Sequence, residues 1–196
     1  TWRQVLPIGL YVGIPFLLVL KQPDLGTSLV FLAITFGMLF VGRIKMSLLR
    51  NVFLAGVVLA PVGWHFLKDY QKSRITVFLN PNADPFGAGY HIIQSKIAIG
   101  SGMLFGKGLF LYFILVYRGL MIAKDCKDSF GMMLATGVVS MWAFQILVNV
   151  GMTCGIMPVT GIPLPFMSYG VSALTTNMMG LGLLLSIYMR QQTMIF

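Results

Sequence analysis

Apolar residues gather into long, nearly unbroken runs separated by short polar breaks. Runs at 5–20, 26–42, 48–67, 130–150 and 171–189 each approach the ~20 residues an α-helix needs to cross about 30 Å of hydrocarbon. Five membrane-spanning helices are predicted on that ground. A sixth run, Leu109 to Ala123, contains Arg118, and its apolar part, 109–117, covers only about half a bilayer at ~1.5 Å per residue. It reads either as a re-entrant helix or as a span with sequence missing beside it. Between the third and sixth runs lies the one long polar interval, Lys68 to Gly108, around which the rest is arranged. The fold expected is an all-α polytopic membrane protein with about six transmembrane helices, one of them incomplete. It forms a single membrane domain over 1–196, with a large extracytoplasmic loop at 68–108 that carries short helices.

Composition agrees with the pattern. The chain is 57% hydrophobic and 10% charged, against about a quarter charged in soluble domains. Thr1 to Leu20 has no small-residue cleavage site and runs directly into further spans, so no cleavable signal is expected. With no initiator Met, residue 1 is expected to be internal.

Charge sets the orientation. With six spans and a cytoplasmic start, Arg3, Arg43, Lys45, Arg50, Arg118, Lys124, Lys127 and Arg190 fall on one side, and the opposite short loops hold only Lys21. Cations concentrate in short cytoplasmic loops, so the 68–108 loop is expected outside. That loop holds five of the fourteen bases (Lys68, Lys72, Arg74, Lys96, Lys107) against Asp69 and Asp84. These bases either meet an anionic partner or are the solvated lysines of a long loop that crosses regardless of charge. No nucleic-acid partner is expected. Cys126 falls on the inner side and Cys154 at the outer end of a helix, so they cannot pair within one chain, and no Cys/His cluster supports structural zinc.

Local chemistry adds candidates. The first span carries Gly9 and Gly13, a small-xxx-small spacing that suits helix packing. Asp24 follows the Pro23 break and either caps the next helix or, as a carboxylate at a membrane boundary, belongs to a site. Asn80 to Gly87 is dense in turn formers, with Asp84 among them. Ile92 to Ile99 reads as a short helix offering Gln94, Ser95 and Lys96. Gly102 and Gly106 enclose three residues and Gly108 follows Lys107, so this is not a nucleotide P-loop, although flexible amides beside one lysine suit a pyrophosphate. Gln145 and Asn149 share one helical face and are expected to make interhelical hydrogen bonds. Past them, Pro158, Pro163 and Pro165 forbid a helix in an apolar stretch. Irregular apolar backbone at membrane depth must pack on protein or line a cavity, which makes 151–170 a second wall of the outer site.

These motifs, KQPDLGTS at 21–28, DYQKSR at 69–74, FLNPNADPFGAGYHIIQSKIAIGSG at 78–102, GKG at 106–108 and MPVTGIPLPFMSYG at 157–170, closely resemble the SEDS family of RodA, FtsW and SpoVE. The Ile-Pro-Leu-Pro before Ser-Tyr-Gly and the Gly-Tyr-His-Ile-Ile-Gln-Ser-Lys run are more similar to the RodA branch. The resemblance covers essentially the whole chain. It implies a peptidoglycan glycosyltransferase of cell elongation in the bacterial cytoplasmic membrane, polymerising lipid II on the outer face. The partners it implies are a class B penicillin-binding protein and other elongation-complex membrane proteins. It also implies ten spans, of which this chain corresponds to the last six. In RodA-like members GKG is followed by more outer loop, which holds the family's catalytic Asp. Here Gly108 runs straight into Leu109, so an internal gap is expected near 108–111 and no catalytic base is assigned.

In the reaction the resemblance implies, a sugar hydroxyl attacks an anomeric carbon and polyprenyl pyrophosphate leaves, which requires a base at the hydroxyl and positive charge at the pyrophosphate. Arg74, Lys96 and Lys107 are the candidates for the second role, Arg74 first because its fork matches phosphate oxygens. A divalent cation, Mg or Mn, would share that duty with Asp84 or Asp24 as ligand. Gln94, Ser168 and Tyr169 complete the expected substrate-binding set. The rival functions are a lipid-linked precursor flippase or transporter, and a non-catalytic scaffold for lipid II and the penicillin-binding protein.

Overall fold

The computed structural model describes residues 2–22, 24–42, 44–47, 49–51, 54, 58, 61, 65, 69–79, 109–158, 160–168 and 170–193. They form helices α1 (Trp2–Lys21), α2 (Leu25–Val41), α3 (Asp69–Leu79), α4 (Leu109–Asp125), α5 (Ser129–Thr153) and α6 (Val171–Thr193). The described positions between 46 and 65, apart from those in no element, are helical too, and no strand occurs among the described residues. Two of these helices, Ser129–Thr153 and Val171–Gln191, are long and apolar enough to cross a membrane, and Leu10–Lys21 and Gly26–Val41 are shorter apolar helices.

Capping explains where the helices begin and stop. Asp24 caps α2 by accepting from Thr27 N at 3.0 Å. Asp128 caps α5 by accepting from Phe130 N at 3.3 Å and Gly131 N at 3.0 Å. Each satisfies amide protons that have no intrahelical partner. α5 ends where Gly155 takes φ 71°, a left-handed turn open to glycine.

α5 is the central post, with α2, α4 and α6 packed around it. Small residues let the backbones approach. A Cβ on Gly37 would collide with Ser140, one on Gly119 would lie 2.5 Å from Val139 Cγ2, and one on Gly180 3.1 Å from Val138 Cγ1. The core built on these contacts is Ala123, Ala135, Val139, Trp142 and Leu184, with Leu115, Val116 and Leu181 against it. A second cluster, Val30, Val148 and Ile162, joins α2 and α5 to the segment after α5.

α4 runs along the bundle: Tyr112 touches the segment after α5 at one end, while Ile122 O accepts from Gln191 at the other. Its 17 residues therefore run about 25 Å beside α5. Arg118 and Lys124 do not break it, because a helix continues through polar residues whose side chains reach outward. Nor does the small-xxx-small spacing of α1 carry a helix contact at Gly13, where an added Cβ would meet nothing within 4 Å. That face, with Leu10, Tyr11, Ile14, Leu17 and Leu18, is exposed.

Cys126 and Cys154 sit at opposite ends of the 25-residue α5, and both are free thiols.

Candidate functional site

After α5 the chain neither stops nor crosses. The described residues of 155–170 turn back and pack against the helix ends, held by side chains of α4 and α5. From α5, Asn149 Nδ2 donates to Ile162 O at 3.1 Å and to Gln145 O at 2.8 Å. From α4, Tyr112 Oη donates to Pro165 O at 2.6 Å. Met152 Sδ accepts from Thr160 N at 3.1 Å. At the start of α2, a Cβ on Gly26 would lie 2.9 Å from both Thr160 O and Ile162 Cγ1, so only glycine admits this approach.

The turn within the segment is self-braced. Ser168 Oγ accepts from Leu164 N at 2.6 Å while Ser168 N donates to Leu164 O at 3.1 Å. Phe166 stands at φ 62°, a left-handed conformation that costs a non-glycine residue about 1 kcal/mol or more. Its ring meets the edge of Trp142 at 5.4 Å between centroids. Trp142, fully buried, donates from Nε1 to Asn177 Oδ1 of α6 at 2.8 Å. The segment is thus the protein-packed irregular backbone that its prolines and apolar side chains predict. Beside it, between α4 and α5, runs an apolar groove of about 500 Å³ whose lining includes Leu109, Phe113, Leu147 and Ile156.

The Gln145–Asn149 pair behaves differently from expectation. Asn149 bonds its own helix and the return segment, not another helix. Gln145 is 8% exposed, and its Oε1 is a buried acceptor with no hydrogen-bond partner among the described residues. α5 is instead bonded to another helix through Trp142, to Asn177 of α6.

The predicted site residues fall into three groups. Asp24 and Ser168 are described, and both lie at the return-segment end of the bundle. Asp24 is engaged by Thr27 through both oxygens, the second accepting from Thr27 Oγ1 at 2.6 Å, so its observed work is capping. Arg74 lies on α3, where the backbone is described and the side chain is not. Lys96, Lys107, Gln94, Asp84 and Tyr169 lie outside the described residues. Among the described residues no three His, Cys, Asp or Glu side chains group as metal ligands. Sequence reasoning missed Tyr112 and Asn177. A tyrosine at the start of an apolar run followed by a proline-rich return was the signal available for the first; Asn177 had none beyond being polar in an apolar helix.

Known proteins can be set against this architecture. A peptidoglycan glycosyltransferase MrdB from Escherichia coli K12 is 38% identical over 214 residues, covering 90% of this chain and 58% of that protein. A RodA from Treponema pallidum, also named a peptidoglycan glycosyltransferase, is 41% identical over 166 residues, covering 66% of this chain and 38% of that protein. Stage V sporulation protein E of Bacillus subtilis is 36% identical, covering 88% and 56%. This chain therefore spans a little over half the length of the E. coli and B. subtilis relatives. A solved chain from a peptidoglycan synthase complex that coordinates polymerization and crosslinking superposes with a TM-score of 0.78 at 35% identity, covering 97% of this chain and 63% of that one. The cell cycle protein family model of FtsW, RodA and SpoVE matches residues 1–110 and again 109–193, and with relatives at this identity it establishes that the chain belongs to that family, on the RodA-like side.

Proposed function

We propose that the protein is a peptidoglycan glycosyltransferase that joins lipid II units into glycan strands during cell elongation, in the bacterial cytoplasmic membrane and with its site on the outer face. The observation that carries the reading is the return segment, an irregular backbone held at the edge of an apolar bundle by Asn149 and Tyr112. An amphiphile with a polyprenyl tail requires apolar surface next to polar groups, and the α4–α5 groove beside Pro165 supplies that pairing. The names of the E. coli and T. pallidum relatives support the reaction class. The neighbouring synthase complex supports a class B penicillin-binding protein as partner, with crosslinking as its share.

In this reading the incoming sugar hydroxyl loses its proton as it attacks the anomeric carbon of the growing strand, and the polyprenyl pyrophosphate departs with the bonding electrons. Arg74, Lys96 and Lys107 would neutralise the leaving group, and Asp84 or Asp24 would hold a divalent cation there. Gln94, Ser168 and Tyr169 contact the sugars. Asp24 enters this set only by giving up its bonds to Thr27, so Asp84 is the better cation ligand of the two.

A second reading, a scaffold that binds lipid II and the penicillin-binding protein without polymerising, is favoured by one feature. The family match breaks into two stretches that meet at 109–110, and the match with the E. coli relative extends over 214 residues against 196 in this whole chain. Both support a stretch of outer loop that relatives carry between the positions of Gly108 and Leu109 and this chain does not. A polymerase lacking part of its loop would keep its substrate and lose its base.

Labelled lipid II incubated with the purified protein, followed by gel separation of glycan products and an intact-mass measurement, tests the proposal. Polymer from a protein well above 21.6 kDa supports the glycosyltransferase. A mass matching 21.6 kDa with bound lipid II and no polymer establishes the scaffold. Passage of lipid II across a vesicle bilayer without polymer would replace both with a transporter.

A further inference from the structure

At the end of the bundle opposite the return segment, α2, α4 and α6 finish and α5 begins. A Cβ on Gly42 would lie 3.2 Å from Met133, and one on Gly131 3.0 Å from Cys126 Sγ and 3.8 Å from Ile187. This end collects Lys45, Arg118, Lys124, Lys127 and Arg190 against Asp125 and Asp128, and the Asp128 carboxylate is already engaged as the cap of α5. The predominance of cations over acids marks it as the cytoplasmic end.

Two clefts open there. One, about 440 Å³, lies under the α4–α5 turn, with Lys127 and Arg190 at its rim and Phe130, Leu134, Leu183 and Ile187 within. The other, about 460 Å³, lies between α4 and α6, with Arg118 and Tyr188 beside Leu115, Leu181 and Leu185. Asp125 and Gln191 line both, and Gln191 Nε2 donates to Ile122 O at 2.8 Å, so the two clefts flank a single bridge from α6 to α4.

We propose that these paired clefts bind an anionic glycerophospholipid, with its phosphodiester held by Arg118, Lys127 and Arg190 and its acyl chains laid along the apolar walls. Arg118 carries the argument. It is exposed on an apolar helix and, among the described residues, makes no ion pair or hydrogen bond. It lies seven residues from the end of α4, about 10 Å from the helix terminus. At that depth an unpaired guanidinium is costly in hydrocarbon, and its long stem lets the head rise to the level of lipid phosphates. The planar fork donates to two phosphate oxygens at once, and Lys127 and Arg190 add charge from the adjoining cleft. Basic clefts between transmembrane helices on the cytoplasmic side, walled by leucine and isoleucine, fit a charged head and two tails together. A free phosphate would meet the cations and leave the walls empty.

The test uses the purified full-length protein in mild detergent, examined by native mass spectrometry with phosphatidylglycerol, with phosphatidylcholine of the same acyl chains, and with inorganic phosphate. Phosphatidylglycerol adducts should exceed phosphatidylcholine adducts about tenfold: both lipids carry the phosphodiester, but the choline ammonium of the second brings a like charge beside Arg118, Lys127 and Arg190 and cancels the net negative charge they attract. Arg118→Gln with Arg190→Gln should remove that preference, Arg118→Lys should keep most of it, and Lys45→Gln should leave it unchanged. Equal retention of the two lipids, insensitivity to the double substitution, or displacement by millimolar inorganic phosphate would overturn the proposal. Should the double variant fail to fold, a photoactivatable phosphatidylglycerol on the unaltered protein decides: labelling within 115–130 and 181–191 sustains the site, and labelling elsewhere sinks it.

Discussion

Among the described residues the Trp142–Asn177 hydrogen bond is the buried polar link between α5 and α6, and it makes a measurable claim. Trp142 is 0% exposed and Asn177 2%, with Nε1 and Oδ1 2.8 Å apart. Trp142→Phe keeps an aromatic ring near Phe166, preserving much of an edge contact worth about 0.5–1.5 kcal/mol. What it removes is the donor, leaving Asn177 Oδ1 buried and bare at about 1–3 kcal/mol, besides the smaller ring volume. Asn177→Leu strands the indole N–H in the same way and also ends the Asn177 Nδ2 bond to Ala173 O. In the double variant neither orphan remains. The double-mutant cycle should therefore show a coupling on the order of 1 kcal/mol, toward the upper part of the range for interhelical bonds in membranes because both partners are sealed from lipid and water. Unfolding in mixed micelles by added SDS, followed by far-UV circular dichroism, measures all four proteins without relying on Trp fluorescence. Additivity of the two single effects within about 0.3–0.5 kcal/mol would mean that the contact contributes nothing of its own, and the account of how α6 is positioned would fail.

Asp24 offers a sharper choice between roles: Asp24→Asn preserves a capping acceptor and should change stability by a few tenths of a kcal/mol, whereas Asp24→Ala should cost about 1 kcal/mol. If glycan polymerisation collapses in the Asn variant while its unfolding midpoint holds, Asp24 is a cation ligand and the capping account is incomplete. Gly119→Ala should destabilise by about 1–3 kcal/mol, because the new Cβ would lie 2.5 Å from Val139 Cγ2, while Gly13→Ala, facing open space, should be neutral or slightly stabilising in the same SDS titration. Gln145→Leu removes a buried acceptor that bonds nothing among the described residues, so it should leave stability unchanged or raise it; a loss above about 2 kcal/mol would show that Oε1 has a partner in the membrane.

The thickness of hydrocarbon is written into the length of apolar runs, so the bounds of several helices were legible within a few residues. The runs at 26–42 and 130–150 became 25–41 and 129–153. α5 extends past its apolar run because Ser129 and Thr153, at its two ends, continue the backbone ladder. The return segment was legible through Pro158, Pro163 and Pro165, since proline withdraws the amide that a helix needs. Partnership was not legible. The spacing of Gly9 and Gly13 is the same whether or not a helix faces it: Gly119, four before Ala123, and Gly180, four after Thr176, share that type of spacing and do face α5, whereas Gly13 faces open space. Phe166 at φ 62° contradicts local preference outright; its conformation is imposed by the ring's contact with Trp142, 24 residues earlier in the chain. Of the candidate site, Asp24 and Ser168 could be given observed work, and in both cases it proved to be bracing backbone.

That outcome has a physical sense. An irregular segment surrounded by apolar helices exposes carbonyls that water cannot reach, each costing several kcal/mol if left bare. Asn149 answers Ile162 O, Tyr112 answers Pro165 O, and the Ser168 hydroxyl answers Leu164 N. Each bond contributes only about 1 kcal/mol net, so none fixes the segment alone, yet losing one exposes the larger penalty of an unmet group. The segment is therefore held in place by several helices at once, and a movement of any one is felt by the others through it. A surface of this kind stays fixed while a membrane amphiphile slides past, whereas the groups that react with the substrate need exposure to water and freedom to approach. In the proposed polymerase the residues that act on substrate would then come from the polar stretch 68–108 of the sequence rather than from this braced wall.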